Sequence, residues 1–319
     1  MKKVLKFLAR LIAVILALVL LAVIALCVIP LTERVNDAPA AGAGDWMASV
    51  SDELFLSEIT IPGAHDAASL WPQLAFVTKC QGLDIAQQLN IGVRYLDIRL
   101  GADGDDLILM HGFTKCRTAP LPWAGTVTLG DVLAQCYDFL DAHPGETILF
   151  AVKHEHGDET DAEFDAAVQR YVQEAPDRWL ITDEMPMLGD ARGKLVLLRR
   201  YEGTGLSLLW ENQSGHDDMR LSAVCEDNGS YALWVQDRYE YDAENKWTAF
   251  RAGIDAAQTG AENAAIHFLS TKGTLPQGHP WYFAQKLNSQ LLASSEPISG
   301  WIVVDFLTPE LAERIYSAN

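Results

Sequence analysis

The alternation of apolar and polar segments along the chain predicts a barrel of strands and helices. Apolar residues recur at helical spacing in residues 128–143 and 161–175, and Pro144-Gly145 ends the first of these helices. Over the roughly 274 residues from position 46 onward, such segments alternate with strands, as a (β/α) barrel requires. Short runs rich in β-branched residues predict eight strands: Ile59–Ile61, Val93–Ile98, Leu107–Met110, Thr147–Val152, Lys194–Leu198, Ala232–Val235, Ala264–Leu269 and Trp301–Val304.

One connection in this pattern is too short for a helix. Only Arg99–Asp106 separates the second predicted strand from the third, and this segment is rich in Gly and Asp. We therefore expect an α/β fold, an irregular (β/α)8 TIM-type barrel with at least one helix missing. A doubly wound parallel sheet is the alternative, but no Gly-rich phosphate loop follows the first strand.

An uncharged run of 21 residues, Leu11–Leu31, precedes the barrel. As a helix it would span roughly 30 Å, the hydrocarbon thickness of a bilayer. We expect a cytoplasmic N-terminus (1–10), a transmembrane anchor (11–31), a linker (32–45) and a catalytic barrel (46–319). The basic N-terminal flank places the barrel outside the cytoplasm. Secretion after cleavage near Ala38–Ala43 is the alternative.

The net charge of −19 is unevenly distributed along the chain. Residues 1–32 carry +4 and the remaining 287 residues carry −23. So acidic a body excludes nucleic acid as a partner, because binding to a polyphosphate requires clustered Lys and Arg. Bulk charge also gives no attraction to anionic lipid headgroups.

Five cysteines follow the same division between anchor and body. Cys27 lies in the apolar run, and the other four would lie in an oxidising compartment, where three pairings are possible. Cys136 falls on the apolar face of a helix and is expected to be a buried thiol. We expect Cys80 and Cys116, which flank the motifs described next, to form a disulfide. No C-x-x-C spacing suggests a zinc site.

Most predicted strands end in a polar or ionisable residue. A single charge after a strand is commonly a solvated loop start, but seven in register indicate a site, because barrel active sites form at the carboxyl ends of the strands. The residues are His65 and Asp66, Arg99, His111, Lys153, Arg200, Asp237 and Tyr239, and Asp305.

This set of side chains suits acid–base chemistry on a phosphate. One imidazole can remove a proton while another donates one, and neighbouring carboxylates orient the two rings. Arginine binds phosphate oxygens in a bidentate manner. An arginine where Mg²⁺ or Ca²⁺ would need oxygen ligands favours chemistry without a metal.

The motifs also resemble a known family. The segments ITIPGAHDAASL, GVRYLDIRL and LILMHG, followed by ETILFAVKHE, GKLVLLRRY, WVQDRY, PWYFA and GWIVVDF, are similar to the bacterial phosphatidylinositol-specific phospholipase C, or X-domain, pattern. The resemblance covers about residues 50–310. It implies a TIM-type barrel that cleaves phosphatidylinositol or glycosyl-phosphatidylinositol to diacylglycerol and inositol 1,2-cyclic phosphate, without a metal or other cofactor.

The resemblance also implies a role for each residue of the site. His65 would be the general base that acts on the inositol 2-hydroxyl, oriented by Asp305. His111 would be the general acid, assisted by Asp66, and Arg99 would hold the phosphate. The inositol ring would be bound by four further residues, Lys153, Arg200, Asp237 and Tyr239, the last by stacking.

Several alternatives remain open from the sequence. The chain could be a metal-dependent glycerophosphodiester phosphodiesterase, or a silent barrel that binds inositol or a glycan. The triplet His154-Glu155-His156 looks like a metal cluster, although alternation along a strand end gives this spacing by chance. Oligomerisation is not expected.

Aromatic and apolar residues near the motifs predict a rim that touches the membrane. They are Trp71, Leu74 and Phe76, and in the 273–283 loop Leu275 and Trp281. The alternative is that they pack over the mouth of the barrel.

Overall fold

The computed structural model describes residues 2–32, 35–213, 224–272 and 279–319. The chain forms two compact units, Met1–Arg34 and Val35–Asn319. The first unit contains helix α1, Lys2–Thr32. Within it, the 23 residues Lys2–Ile24 are long and apolar enough to cross a membrane, and their most apolar stretch of 18 residues has a mean hydropathy of 3.0. A signal sequence near the N-terminus can be as long and as apolar as this segment.

Among the described residues, the second unit contains eight α-helices besides three short 3-10 helices, Ala43–Ser49, Leu56–Glu58 and Pro176–Arg178. The α-helices are α2 (Ala75–Thr78), α3 (Ile85–Asn90), α4 (Leu129–Ala142), α5 (Asp161–Glu174), α6 (Leu188–Ala191), α7 (Ala243–Ala256), α8 (Pro280–Ala293) and α9 (Pro309–Tyr316). The side chains of Thr128 and Thr160 accept hydrogen bonds from backbone N–H groups in the first turns of α4 and α5. These caps satisfy donors that a helix leaves unpaired, and so they fix where each helix begins.

Within the described residues, twelve strands form one mixed sheet. They are β1 (Ile61–Ala64), β2 (Tyr95–Asp103), β3 (Asp106–His111), β4 (Thr114–Lys115), β5 (Ile148–His156), β6 (Trp179–Leu180), β7 (Leu195–Arg199), β8 (Leu206–Ser207), β9 (Val224–Asp227), β10 (Ala232–Gln236), β11 (Asn263–Phe268) and β12 (Trp301–Val304). The order across the sheet is β6-β7-β5-β2-β1-β12-β11-β10-β9, with β8 also paired to β7.

Two apolar clusters cover the two faces of this sheet. Leu149, Val196 and Trp301 point into the barrel interior, where they belong to one cluster. Phe150 and Leu197, their neighbours in sequence, pack on the helices outside. Strands covered on both faces are continuously apolar, which is why they were predicted from their runs of β-branched residues. The architecture is the irregular TIM-type barrel expected from the sequence.

The third predicted strand is not a parallel barrel strand, and this corrects the sequence prediction. Strand β2 continues past Arg99 to Asp103, and β3 returns antiparallel to it, with Leu100 opposite Leu109. His111 therefore reaches the mouth of the barrel at the end of a hairpin. Strand β5 similarly continues past Lys153 to His156. The Gly/Asp-rich segment between β2 and β3 is the hairpin turn, so no helix is needed there.

The position that β3 leaves unfilled is taken by two short strands. Strands β6 and β8 pair in parallel with opposite ends of the same edge of β7. Asn228, directly after β9 at the other end of the sheet, contacts the segment after β8. Its side-chain amide accepts from the N–H of Leu209 at 2.8 Å and donates to the carbonyl of Leu209 at 3.0 Å. Asn228 also accepts from the hydroxyl of Ser207 at 2.7 Å. A side chain thus links the two ends of the sheet where the described strands do not pair.

Candidate active site

The predicted site residues gather around one cavity of about 520 Å³ at the carboxyl ends of the parallel strands. Asp66 lies beside His111 at the edge of this group. The other eight line the cavity: His65, Arg99, His111, Lys153, Arg200, Asp237, Tyr239 and Asp305. Residues from six parallel strands or the positions just after them, together with the β3 hairpin, thus meet at one place.

His65 is held at both ring nitrogens. Its Nδ1 lies 2.7 Å from Oδ1 of Asp305, and its Nε2 lies 2.7 Å from an Nη atom of Arg99. Because a guanidinium can only donate, Nε2 of His65 accepts and Nδ1 carries the proton that goes to Asp305. This is the neutral tautomer in which Nε2 can take up a proton from a substrate hydroxyl.

His111 is paired with the second carboxylate. Its Nδ1 contacts Oδ2 of Asp66, which is almost fully buried. Burial lowers the pKa of His111, but the Asp66 carboxylate outweighs it, so the pKa lies above the ordinary histidine value. This ring therefore stays protonated to higher pH, as a general acid requires.

The backbone is left-handed at Asp66 and at Phe306, the residue directly after Asp305. Asp66 has a φ of 44°, and Phe306, directly after Asp305, has a φ of 48°. Left-handed conformations of non-glycine residues are costly and occur mainly where the surrounding structure imposes them, often in active sites. Here they follow the ends of β1 and β12, where the chain turns so that each carboxylate faces a histidine ring.

Asp97 organises the cationic side of the cavity, although it was absent from the predicted site residues. It is fully buried and accepts from Arg99 at 2.9 Å, from Arg200 at 3.3 Å and from the N–H of Asp66 at 3.1 Å. Burial raises the pKa of Asp97, but the two arginines lower it by more, so the net shift is downward and the carboxylate is ionised. Its position two residues before Arg99 puts both side chains on one face of β2, and this spacing is the signal that could have identified it.

Glu155 is a second residue that the prediction missed. It contacts Arg99 at 3.3 Å and Lys153 at 2.5 Å, and accepts from the N–H of Gly112 at 2.9 Å. Burial raises the pKa of Glu155, but Arg99 and Lys153 lower it by more, to about 2. Burial and the nearby Arg99 lower the pKa of Lys153. Glu155 thus joins β5 to the hairpin that carries His111.

The histidines beside Glu155 do not join it in a metal cluster. His154 lies on the opposite face of β5, where its Nε2 is 3.2 Å from Glu159 and its ring stacks on Phe164. His156 is exposed to solvent. Side-chain alternation along the strand therefore separates the triplet, as the simpler interpretation of its sequence predicted.

A tryptophan organises the far side of the cavity. The ring of Trp210 lies 3.8 Å from the guanidinium carbon of Arg200, and its Nε1 donates to Asp237 at 3.1 Å. The hydroxyl of Tyr239 donates to Asn212 at 2.9 Å. Trp210 and Asn212 lie in an irregular segment after β8, where no periodic pattern marks the sequence, so sequence reasoning did not find them.

The predicted disulfide between Cys80 and Cys116 is wrong. Both residues are free, buried thiols. Burial raises the pKa of each thiol well above its ordinary value, so neither is a thiolate nucleophile at neutral pH. Cys136 is a buried thiol on α4, as expected, while Cys225 is exposed. The side chain of Cys27 lies outside the part of the chain that is described.

Apolar residues form a rim beside the cavity. Phe76 is exposed on α2, while Trp71 is half-buried, with Nζ of Lys79 4.6 Å from its ring centre. Residues 71–73 pair with 115–117 through two backbone hydrogen bonds, which brings the β3–β4 turn alongside α2. In this turn Phe113 is 72% exposed, and in the loop that follows β4 Trp123 is 80% exposed. We refer to Leu74, Phe76, Val77, Phe113 and Trp123 as the apolar rim.

The other predicted rim residues differ in their surroundings. Trp281 is half-buried in the first turn of α8, where its ring packs against Tyr282. Leu275 lies outside the described residues. Val77, which was not predicted, lines the cavity itself and so connects the apolar rim to it.

Comparison with known proteins agrees with this geometry. Residues 56–201 match the family model of the phosphatidylinositol-specific phospholipase C X domain. A 1-phosphatidylinositol phosphodiesterase from Staphylococcus aureus is 26% identical over 291 residues, covering 85% of this chain and 90% of that protein. A protein of the same name from Listeria monocytogenes is 30% identical over 164 residues, covering 48% of this chain and 47% of that protein.

Solved structures show the same barrel. A double mutant of the phosphatidylinositol-specific phospholipase C from S. aureus has a TM-score of 0.71 at 24% identity, covering 86% of this chain and 97% of that one. The enzyme from L. monocytogenes has a TM-score of 0.64 at 22% identity, covering 87% of this chain and 98% of that one. The family resemblance expected from the sequence is confirmed: residues 56–201 match the phosphatidylinositol-specific phospholipase C X domain, and the barrel is similar to those of the bacterial enzymes of that name.

Proposed function

We propose that this chain is a phosphodiesterase that cleaves phosphatidylinositol, or a glycosyl-phosphatidylinositol, into diacylglycerol and inositol 1,2-cyclic phosphate. The observation that carries the proposal is the pairing of two histidines with two buried carboxylates around one cavity. Arg99 contacts Nε2 of one of these histidines, His65. The names of the S. aureus and L. monocytogenes relatives support the same substrate.

In the proposed reaction His65 is the base. The inositol 2-hydroxyl gives its proton to Nε2 of His65, and its oxygen forms a bond to phosphorus. Asp305, 2.7 Å from Nδ1, stabilises the imidazolium that results. Arg99 turns its donors from His65 to the non-bridging phosphate oxygens, which frees Nε2 for the hydroxyl. The nucleophile belongs to the substrate itself, so little entropy is lost in bringing it to the phosphate.

His111 completes the step as the acid. The bond from phosphorus to the diacylglycerol oxygen breaks, and that oxygen takes the proton of the His111 imidazolium. Asp66 keeps this ring protonated, in agreement with the raised pKa of His111. Lys153, Arg200, Asp237 and Tyr239 bind the inositol ring, with Tyr239 stacked on its face. The reaction uses no metal and no cofactor, since Arg99 supplies the positive charge at the phosphate.

Membrane contact in this proposal comes from the anchor helix and the apolar rim. The barrel lies outside the cytoplasm, tethered by α1 or secreted after cleavage. The body carries a net charge of −23, so the rim inserts by burying apolar side chains and gains little from anionic lipid.

The test is to identify the products of the purified chain with phosphatidylinositol vesicles, with and without chelator. We expect inositol 1,2-cyclic phosphate and diacylglycerol in both conditions. His65→Ala and His111→Ala should each lose on the order of 10²–10⁴ in rate. His143→Ala is the control, because His143 pairs with Asp45 outside the cavity and should leave the rate unchanged.

Each alternative has its own outcome. Loss of activity in chelator would favour the metal-dependent glycerophosphodiester phosphodiesterase. Inositol binding without any product would favour the silent barrel. Near-full turnover by either histidine variant would contradict the assignment of acid and base.

A further inference from the structure

A buried thiol lies at the two acid–base pairs and has no part in the proposed reaction. Cys80 follows α2 and lines the cavity, although the residue is only 1% exposed. Its Sγ lies 3.8 Å from Nδ1 of His111. Together with Asp66 and His111 it offers three ligand atoms that all lie within 4.8 Å of one another.

These three donors match the coordination chemistry of zinc. Thiolate, imidazole nitrogen and carboxylate oxygen are the protein ligands that Zn²⁺ takes, with three protein ligands and one water in an open site. At tetrahedral angles, the usual Zn–N and Zn–S bond lengths put the nitrogen and the sulfur about 3.6 Å apart. The observed 3.8 Å is close to this value, whereas the directly hydrogen-bonded pair of Asp66 and His111 has to open for the ion to enter between them.

Cys80 has a second set of neighbours, which is less suitable. His65 and Asp305 also lie within 4.8 Å of its sulfur and of each other. Both nitrogens of His65 are already bonded, however, and one contacts the guanidinium of Arg99 at 2.7 Å. A cation beside that ring would be repelled by the guanidinium of Arg99. Nδ1 of His111 instead contacts the carboxylate of Asp66, which attracts a cation and can itself bind it.

We propose that Asp66, Cys80 and His111 bind a thiophilic divalent cation of the Zn²⁺ class, and that this ion inhibits the phosphodiesterase. On binding, the thiol of Cys80 and Nδ1 of His111 each release a proton to solvent. The ion replaces the hydrogen bond between His111 and Asp66, and a water molecule from the cavity fills the fourth position. The inhibitory part rests on the proposed function, whereas binding of the ion does not.

Inhibition follows from the position of the ion. With Nδ1 bound to the metal, His111 can no longer form the imidazolium that protonates the leaving oxygen. Arg200, Asp237 and Tyr239 are outside this set of ligands, so the inositol ring can still bind. We therefore expect zinc to lower kcat while KM changes little.

The binding test is a calorimetric titration of the full-length chain in detergent with ZnCl₂. A parallel titration with CoCl₂ would reveal the thiolate ligand by its charge-transfer absorption. We expect one ion per chain, lost or weakened at least about tenfold in Cys80→Ala, since removal even of groups that only orient ligands weakens metal binding 10–100-fold. Cys80→Ser nearly preserves the volume and serves if the alanine variant does not fold. Cys225→Ala, which removes an exposed thiol, should bind as the parent does.

The activity test measures kcat and KM at increasing Zn²⁺ for the same variants. Inhibition of the parent and of Cys225→Ala, with at least about tenfold weaker inhibition of Cys80→Ala, is the expected result. Equal zinc affinity in the parent and Cys80→Ala, or no binding in the parent, would overturn the site. Binding through Cys80 without a fall in kcat would overturn the inhibition. If the metal-free chain cleaves no phosphatidylinositol, the proposed function fails, and the two titrations still decide whether the site exists.

Discussion

An Nη atom of Arg99 lies 2.7 Å from Nε2 of His65, so the phosphate-binding cation and the base contact each other. The contact keeps Nε2 of His65 unprotonated, because a guanidinium can donate but cannot accept. In the proposed reaction, substrate phosphate draws these donors away, and the base becomes available only when its substrate is present. Asp97 and Glu155 form ion pairs with Arg99, which keep the guanidinium within reach of both His65 and the substrate phosphate.

The first prediction concerns Arg99→Lys. Lysine keeps the charge but loses the fork that binds two phosphate oxygens and can no longer contact both Asp97 and His65. We expect kcat to fall on the order of 10²–10³, as when a donor to a developing oxyanion is removed. Single-turnover rates with phosphatidylinositol vesicles would measure this. Arg170→Lys is the control, since Arg170 lies outside the cavity lining and donates to the exposed carbonyl of Asp105. Parent-like rates in Arg99→Lys would exclude a bidentate role.

The second prediction concerns pH. Burial lowers and Asp66 more strongly raises the pKa of His111, with a net rise. The acid must be protonated, so activity should fall as pH rises through this elevated pKa. Asp66→Asn removes the raising charge and leaves the burial, so the alkaline limb of the kcat profile should move to lower pH. An alkaline limb that stays in place in Asp66→Asn would rule out His111 as the acid that sets it.

The third prediction concerns Trp210, which donates to Asp237 and stacks on Arg200. Trp210→Phe keeps a ring for Arg200 but loses the hydrogen bond, worth about 0.5–1.5 kcal/mol. We expect KM for a water-soluble inositol phosphodiester to rise by about two- to tenfold, with kcat little changed.

Two further variants test this interpretation of Trp210. Trp210→Ala should raise KM further, because it also removes the cation–π contact with Arg200. Trp123→Ala, on the apolar rim, should leave KM for the soluble substrate unchanged. An equal effect of all three variants would show that Trp210 does not act through Asp237 and Arg200.

The fourth prediction concerns stability at the amino-terminal end of the barrel strands. Arg94 and Glu146 form a fully buried pair at 2.7 Å. Glu146→Ala leaves the Arg94 charge buried without its partner, and we expect the free energy of unfolding to fall by about 3–5 kcal/mol. The pair of Arg251 with the exposed Glu296 is the comparison, because Glu296→Ala should change stability by about 0–1 kcal/mol. Urea unfolding of both variants measures the difference, and equal losses would contradict the role of burial.

Much of the barrel could be predicted from the sequence because its strands are buried on both faces. Their β-branched runs are a local property, and all eight predicted segments contain or overlap a strand. The direction of β3 was not predictable in this way, since the same apolar run fits a parallel or an antiparallel strand. The short strands β6 and β8 contain two residues each, too few for any periodicity.

The residues of the site also fall into some that the sequence predicts and others that only the tertiary structure places. His65, Arg99, His111 and Asp305 each follow or end an apolar run, so the sequence by itself determined that they would meet at one end of a barrel. The family resemblance also implied which carboxylate faces which histidine. Tertiary structure alone decided that Asp97 and Glu155 bind Arg99 and that Trp210 joins Arg200 to Asp237. It also left Cys80 as a thiol beside His111 instead of joining it to Cys116. Such pairings depend on how distant strands and loops pack, and side-chain spacing within a segment carries no information about contacts between segments.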